Sequence, residues 1–531
     1  MGSGRREVSR RDFLMAMPYA LGAISGYGRS KSWVAIENFF QPGTKDWLLK
    51  NPATNREIEG FASAASNDSV TSVNLGDSIN FYVSTDSAYK LEIFRTGWYR
   101  GLGGRKMWWK TGNGWVDSVV LNGRRQREAV PDPYNFNLVE CGWDRSYSVD
   151  IPLEHRDWTP PEYLLELPND WLSGVYLCKL TAASGKQSYM KFVVRDDSST
   201  SDVLHQICEN TSIAYNPYVN SLYQPLTLGK RAYKVSLEKP SVERFGAGQF
   251  LNWEIHMVRF LEQQGYDVTY STNHDTHIRG DLIRRHPVFL SVGHDEYYTA
   301  RMRDNIEAAR DAGTSLMFAG ANNCYWQVRY ENSSSGKQYR TMVCFKENRK
   351  LDPFANNPRK ATAKFRDPPV NRPEGRLLAV AYDYEVQCNN DDLVINDDKD
   401  RVFEGTGLTR GVHLERLVGY EADALSRYKP ANVDITLLGH SPYSANDKQF
   451  FSDMIIYRMP LGNFVFSAGS IQLAWGLESV DFRPTPVSGG LQRMFKNLFA
   501  EANVLGSPQK LNERPIFPEK LCEIRGFEGC R

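Results

Sequence analysis

The stretch "HPVFLSVGHDEYYTARM", residues 286–302, decides the fold. Val288 to Val292 is a short, continuous apolar run, the pattern of a strand buried on both faces. At Gly293 it breaks into His294, Asp295, Glu296, Tyr297 and Tyr298, a set that is costly to crowd at a strand end unless each group is hydrogen-bonded or put to use. From Thr299 to Ala312 the apolar residues Met302, Ile306 and Ala309 recur on one helical face, and Gly313 suits a left-handed helix stop.

The same unit repeats on either side. "VLHQICE", from Val203, reads as a first strand. Phe250 to Gln264 is helical, with Trp253, Met257, Phe260 and Leu261 at the right spacing and Gly265 as its stop. "YDVTYS" makes a second strand, "PVFLSVG" the third and "SLMFAGAN" the fourth. Strands alternating with helices at these lengths imply right-handed crossovers and a parallel sheet covered on both faces. Such sheets bind ligands beyond the carboxyl ends of their strands, at the switch point. In a flavodoxin-like order of 2-1-3-4, the loops after strands one, three and four meet. They carry Tyr215, then His294 and Glu296, then Asn322, Asn323 and Cys324.

Upstream the period changes. From about residue 60 to Arg195, short alternating runs ("SINFYVST", "YKLEIFR", "SYSVDIP", "SGVYLCKLTAA") are separated by Gly, Asp, Asn and Pro turns, which predicts an antiparallel β-sandwich. The serine-rich "RDDSSTSD" from Arg195 reads as a linker. The expectation is a multidomain chain: an export signal over 1–31, a β-sandwich over 32–197, a doubly wound α/β domain over 198–510 and a tail over 511–531.

Composition agrees. A chain of 531 residues needs two or three cores, and 41% hydrophobic with 24% charged residues is ordinary for folded protein. A net charge of +1 offers nothing to steer nucleic acid or an anionic membrane. No apolar run reaches the roughly 18 residues of a membrane span. Arg5, Arg6, Arg10 and Arg11 precede an apolar segment from Phe13 to Ile24, and Ser9-Arg10-Arg11-Asp12-Phe13-Leu14 resembles a twin-arginine signal. The expected compartment is periplasmic or extracellular, with the cytoplasm as the alternative. Eight cysteines without metal-type spacing form no framework; Cys522 and Cys530 are near enough to pair in an oxidising compartment.

Several motifs carry a family resemblance. "TSIAYNPYVNSLYQ", "SVGHDEYYTARMRDNIEAARDAGTSLMFAGANNCYWQVR", "LVGYEAD" and "FVFSAGSIQLAWGL" resemble, in order and spacing, the large (β) subunit of N,N-dimethylformamidase and its relatives, and "FRTGWYRGLGGRKM" is similar to the β-rich domain before it. The resemblance implies a class I glutamine-amidotransferase-like domain with a mononuclear iron, Fe(III), held by two tyrosinates and one glutamate. By position these are Tyr215, Glu296 and, on the sandwich, Tyr176; His294 and Asn322 match residues with catalytic roles. It further implies a small amide or formamide as substrate, and leaves a small partner subunit and a homo-oligomer open.

Phenolate and carboxylate are hard oxygen donors suited to a trivalent ion, which also holds a phenol ionised far below its free pKa of about 10. His294 suits proton transfer and Asn322 an oxyanion contact, worth about 3 kcal/mol in a dry site. Two other readings stand beside this one. Cys324 after a strand invites a cysteine-nucleophile amidase with His294 as base, although Tyr325 and Trp326 fit a strained nucleophile turn poorly. Trp98, Tyr99, Trp108 and Trp109 invite a non-catalytic carbohydrate- or partner-binding sandwich.

Overall fold

Period-two alternation builds the N-terminal half. The computed structural model describes residues 32–66, 69–126, 161–218, 221–223, 232–333, 336–386 and 390–506. The export signal, the "SYSVDIP" strand and the Cys522/Cys530 pair lie outside the described residues. Eight strands matter here: β1 (Ile58–Ala64), β2 (Ser72–Asn74), β3 (Ser78–Thr85), β4 (Tyr89–Thr96), β5 (Gly104–Lys106), β6 (Tyr163–Glu166), β7 (Gly174–Ala182) and β8 (Gln187–Arg195). One sheet has the order β1-β3-β6 and the other β2-β8-β7-β4-β5, antiparallel throughout except that β2 runs parallel to β8.

Side chains of β7 show why the polar half of the alternation is missing. Tyr176, Cys178 and Leu180 join Ile79, Phe81 and Val83 inside the sandwich, while Val175 and Leu177 pack into the core of the following domain. This sheet is buried on both faces.

The motif "FRTGWYRGLGGRKM" makes that junction. Arg95 of β4 and Glu262 of the next domain pair at 2.8 Å with both side chains fully buried. Glu262 also accepts from Tyr270 Oη at 2.9 Å and from Nδ2 of Asn38 on helix α1 (Trp33–Phe40) at 2.5 Å. A Cβ at Gly97 would lie 2.2 Å from Glu262 Oε2, so only glycine lets the strand come this close. Removing one partner strands the other charge in the interior, a loss of about 3–5 kcal/mol. Trp98 and Tyr99 are buried at this junction and Trp109 inside the sandwich core, and of the four expected platform aromatics Trp108 alone is exposed.

The second half contains β9 (Val203–Ile207), α2 (Glu209–Tyr215), α3 (Glu254–Gln263), β10 (Val268–Thr272), α4 (Asn273–Ile278), β11 (Val288–His294), α5 (Ala300–Asp311), β12 (Ser315–Ala321), β13 (Ile435–Ala445), β14 (Lys448–Arg458), β15 (Phe464–Ser467) and α6 (Gly489–Glu501). Its sheet runs β10-β9-β11-β12-β15-β14-β13. The first five are parallel and begin in the expected 2-1-3-4 order; β14 and β13 close the edge as an antiparallel hairpin. Residues alternate between two cores. Leu290, Val292 and Met317 face Met257 and Phe260 of α3 and Phe495 of α6, whereas Phe289, Leu316 and Phe318 face Met302 and Ile306 of α5. The chain is thus multidomain and β-rich.

The expected helix over 250–264 opens as a 3-10 turn, Gly248–Leu251, before α3 begins at Glu254. Gly265 and Gly313 take the left-handed conformation expected of helix stops.

Candidate functional site

Tight backbone turns at the carboxyl ends of β9, β11 and β12 place the site. Gly293 sits at φ +78°, and a Cβ on Gly320 would lie 2.0 Å from the Gly293 carbonyl oxygen, so the two strand ends meet where side chains cannot fit. The next residue but one, Asp295, is wholly buried and accepts from Gln206 Nε2 at 2.6 Å, Ser291 Oγ at 2.7 Å, Tyr298 Oη at 2.6 Å and Asn273 Nδ2 at 2.9 Å. That saturated carboxylate ties three strand ends together, an anchoring role. The Glu296 N–H donates to Thr211 Oγ1 at 2.8 Å, which fixes Glu296 against α2, the helix that ends in Tyr215.

His294 lies at the centre. Its Nε2 is 3.1 Å from Glu421 Oε2 and 3.4 Å from Glu296 Oε2, and its side chain is fully buried. The Tyr215 ring meets the imidazole edge-on at 5.0 Å and stacks on Tyr223 at 4.2 Å; Tyr420 lies 5.7 Å from the imidazole. After β12 the chain turns through Asn322 at φ +51°, held there because its N–H donates to Asp423 Oδ1 at 2.7 Å. The Asn322 carboxamide then donates to Glu421 Oε2, also at 2.7 Å.

Burial opposes charge on His294, but Glu421 and Glu296 outweigh it and raise the imidazole to about 10, so it keeps its proton through the neutral range. Burial also pushes the Tyr215 phenol well above its ordinary value, reinforced by Glu296 and Glu421. Both shifts report one condition: two carboxylates, Glu296 and Glu421, crowded into a largely buried crevice. Four buried atoms there, Glu296 Oε2, both ring nitrogens of His294 and Asn322 Oδ1, have no aligned hydrogen-bond partner among the described residues. Buried orphans of this kind call for an occupant. Among the described residues no three His, Cys, Asp or Glu side chains have metal-site geometry, so a metal here would need a phenol. Tyr215 and Glu296 fit a hard cation on these grounds.

Of the expected residues, the structure brings together Tyr215, His294, Glu296 and Asn322. It does not bring Tyr176 to them. That ring lies within the sandwich core, stacked between Trp171 at 5.0 Å and Phe192 at 5.4 Å, and its hydroxyl donates to the Leu172 carbonyl at 2.7 Å. Inward alternation along β7 puts it there, so Tyr176 is corrected from metal ligand to core residue. Cys324 is buried with the α5 core, accepts from Arg303 Nη1 at 3.2 Å, and has its thiol pushed up to about 11 by burial. Such a thiol is a poor nucleophile.

Sequence reasoning missed Glu421 as a site residue. It sits in "LVGYEAD", on a strand (Glu421–Leu425) whose Asp423 N–H donates to the Gly469 carbonyl beyond β15. The motif was legible, but its arrival beside His294 depends on a contact across 127 residues of chain.

The sequence profile described as "N,N-dimethylformamidase beta subunit-like, C-terminal" matches residues 90–486. The chain belongs to this family. An N,N-dimethylformamidase β subunit from Paracoccus aminophilus is 23% identical over 220 residues, and one from an Alcaligenes species is 33% identical over 217 residues. Each match covers 36% of this chain and 28% of the relative's own length. A Paenibacillus cycloisomaltooligosaccharide glucanotransferase structure aligns with 7% identity over 51% of this chain and 28% of its own, at a TM-score of 0.14 that carries no argument. The family name denotes an amidohydrolase, and the crevice that joins Tyr215, His294, Glu296, Asn322 and Glu421 lies wholly inside the matched region.

Proposed function

We propose that this protein hydrolyses the C–N bond of a small amide or formamide in the crevice around His294. The observation that carries this reading is the fully buried imidazole held between Glu421 and Glu296, with Asn322 bonded to the same Glu421. Tyr215 and Glu296 would hold an iron ion, Fe(III), and the remaining anionic oxygen would come from this cluster rather than from Tyr176. When bound, the ion supplies Lewis acidity toward the amide carbonyl.

The chain's own groups supply the proton transfers. Glu421 takes a proton from water as the water oxygen bonds to the carbonyl carbon. The second N–H of the Asn322 carboxamide, beyond the one given to Glu421, stabilises charge on the former carbonyl oxygen. His294 delivers its proton to nitrogen as the C–N bond breaks, releasing amine and carboxylic acid. Glu421, 3.1 Å away, then returns a proton to His294 and closes the cycle. Tyr223 and Tyr420 flank His294 and Tyr215 and help keep bulk water out.

The 2-1-3-4 start of the sheet supports a glutamine-amidotransferase-like class for the second half. The relatives are named as β subunits, which supports a small partner subunit for this chain, with a homo-oligomer as the larger assembly. The twin-arginine motif supports export to the periplasm or beyond. Among the described residues no helix is long and apolar enough to cross a membrane.

The test is iron content and the visible spectrum of purified protein. About one iron per chain with a tyrosinate charge-transfer band is expected in the wild type and in Tyr176→Phe, and is expected to vanish in Tyr215→Phe and Glu296→Gln. A folded protein that stays colourless and iron-free when expressed with iron would overturn the metal reading.

A further inference from the structure

One strand grips Asn322 at two points. Along Glu421–Leu425 the side chains alternate, so Glu421 and Asp423, two residues apart, share a face. Both reach Asn322: Glu421 Oε2 accepts from its carboxamide and Asp423 Oδ1 from its main-chain N–H, each at 2.7 Å. The far end of the turn is pinned separately, since the Cys324 N–H donates to the Asp295 carbonyl and the Tyr325 N–H to the Glu296 carbonyl, both at 2.9 Å. Between these anchors Asn322 and Cys324 take left-handed backbone, at φ +51° and +56°. That conformation is costly for residues other than glycine and persists only where the surroundings enforce it.

Asp423 is a costly group to spend on a turn. It is fully buried, and its Oδ2 has no hydrogen-bond partner among the described residues. Burial pushes its carboxyl up to about 8, with the Asn322 N–H working against the rise and Glu374 and Glu421 adding to it. A half-satisfied acid in the interior works against the fold. Its strand does not depend on that side chain, because the Asp423 N–H donates to the Gly469 carbonyl at 3.0 Å and the Leu425 N–H to Asp453 Oδ2 at 2.7 Å. What the carboxyl does hold is Asn322, the donor assigned to the reacting carbonyl oxygen.

We propose that Asp423 is a positioning residue for the hydrolysis: by accepting the Asn322 N–H it keeps this turn left-handed and so aims the Asn322 carboxamide into the crevice. This rests on the amide-hydrolase reading and adds a residue to it. Without the acceptor, the buried Asn322 N–H loses its partner and the backbone relaxes, taking the carboxamide away from Glu421 and from the substrate oxygen.

The test uses iron-loaded full-length protein with N,N-dimethylformamide as the probe amide. Asp423→Leu keeps the volume and removes the acceptor, and is expected to lower kcat about tenfold or more, with KM changed less than about threefold and iron retained. Asp423→Ala, which also lacks the acceptor, gives the same reading if the leucine does not pack. Asp423→Asn, whose carboxamide oxygen can accept the same N–H, is expected to recover most of the loss. Placed on top of Asn322→Ala, Asp423→Leu is expected to lower kcat by less than about a further threefold, because it acts through Asn322. An unchanged kcat, a loss that falls on KM, or a loss that adds in full to that of Asn322→Ala overturns the proposal. Amide hydrogen exchange resolved at Asn322 reads the clamp without turnover, and is expected to be about tenfold or more faster in Asp423→Leu and near the wild-type rate in Asp423→Asn. That result in a protein that hydrolyses no amide upholds the clamp and counts against the hydrolase reading alone; unchanged exchange overturns the clamp.

Discussion

Tyr176 and Tyr215 are 39 residues apart, and the fully buried one is structural while the partly buried one lies at the site. Around Tyr176 every group is spent: the ring is sandwiched by two aromatics and the hydroxyl has its carbonyl. Around Tyr215 the neighbours are two carboxylates, an imidazole and several buried polar atoms without an aligned partner among the described residues. Burial alone therefore says little about function. What separates the regions is whether the polar atoms are satisfied, because a fold has no reason to retain unsatisfied ones unless something else fills the space.

This contrast can be broken most severely at Glu296. Glu296→Gln is expected to abolish the iron and lower kcat by about 10³-fold or more, the several kcal/mol of a lost Lewis acid, with thermal stability nearly unchanged; iron analysis and steady-state kinetics check it. Asn322→Ala should lower kcat by about 10²- to 10³-fold while the iron stays bound, because it removes a donor and not a ligand.

Tyr176 should behave in the opposite way. Tyr176→Ala is expected to cost about 3–5 kcal/mol in denaturant unfolding, and Tyr176→Phe about 1 kcal/mol for the lost hydrogen bond, with iron content and kcat retained in both. Loss of iron in Tyr176→Phe would sink the contrast.

Just before β10, the edge strand of the second half's sheet, burial, reinforced by Asp202, raises Asp267 to about 6. The folded chain then holds this proton more tightly than the unfolded chain, whose value is about 3.9, so its contribution to stability falls as pH rises from about 4 to about 6. Asp267→Asn removes that fall. It should be more stable than wild type at pH 8, with the gap closing by pH 4, as read by urea midpoints at both values. The smallest effect is expected at Cys324: iodoacetamide should leave both the thiol and the activity of the folded protein untouched, as mass spectrometry and an activity assay would show.

Much of the architecture was legible in the residues. Strands at 288–294 and 315–321 announce themselves because a strand covered on both faces is mostly apolar, those at 203–207 and 268–272 through their alternation with helices, and the glycines at 265 and 313 mark helix ends because few other residues accept a left-handed backbone cheaply. The edge hairpin β13–β14 and β15 were not read from the pattern. Tyr176 was misplaced for a related reason: an alternating strand shows which residues share a face but not what that face packs against.

Local periodicity, turn chemistry and motif spacing fix the order of the first four strands of the second half, the strand ends that carry Tyr215, His294, Glu296 and Asn322, and the family. The packing of the folded chain settles that Glu421 joins His294 and that Tyr176 and Cys324 do not. Each of those depends on contacts between segments distant in the chain, and side-chain spacing along a single element carries no information about which distant segment will fill the opposite side.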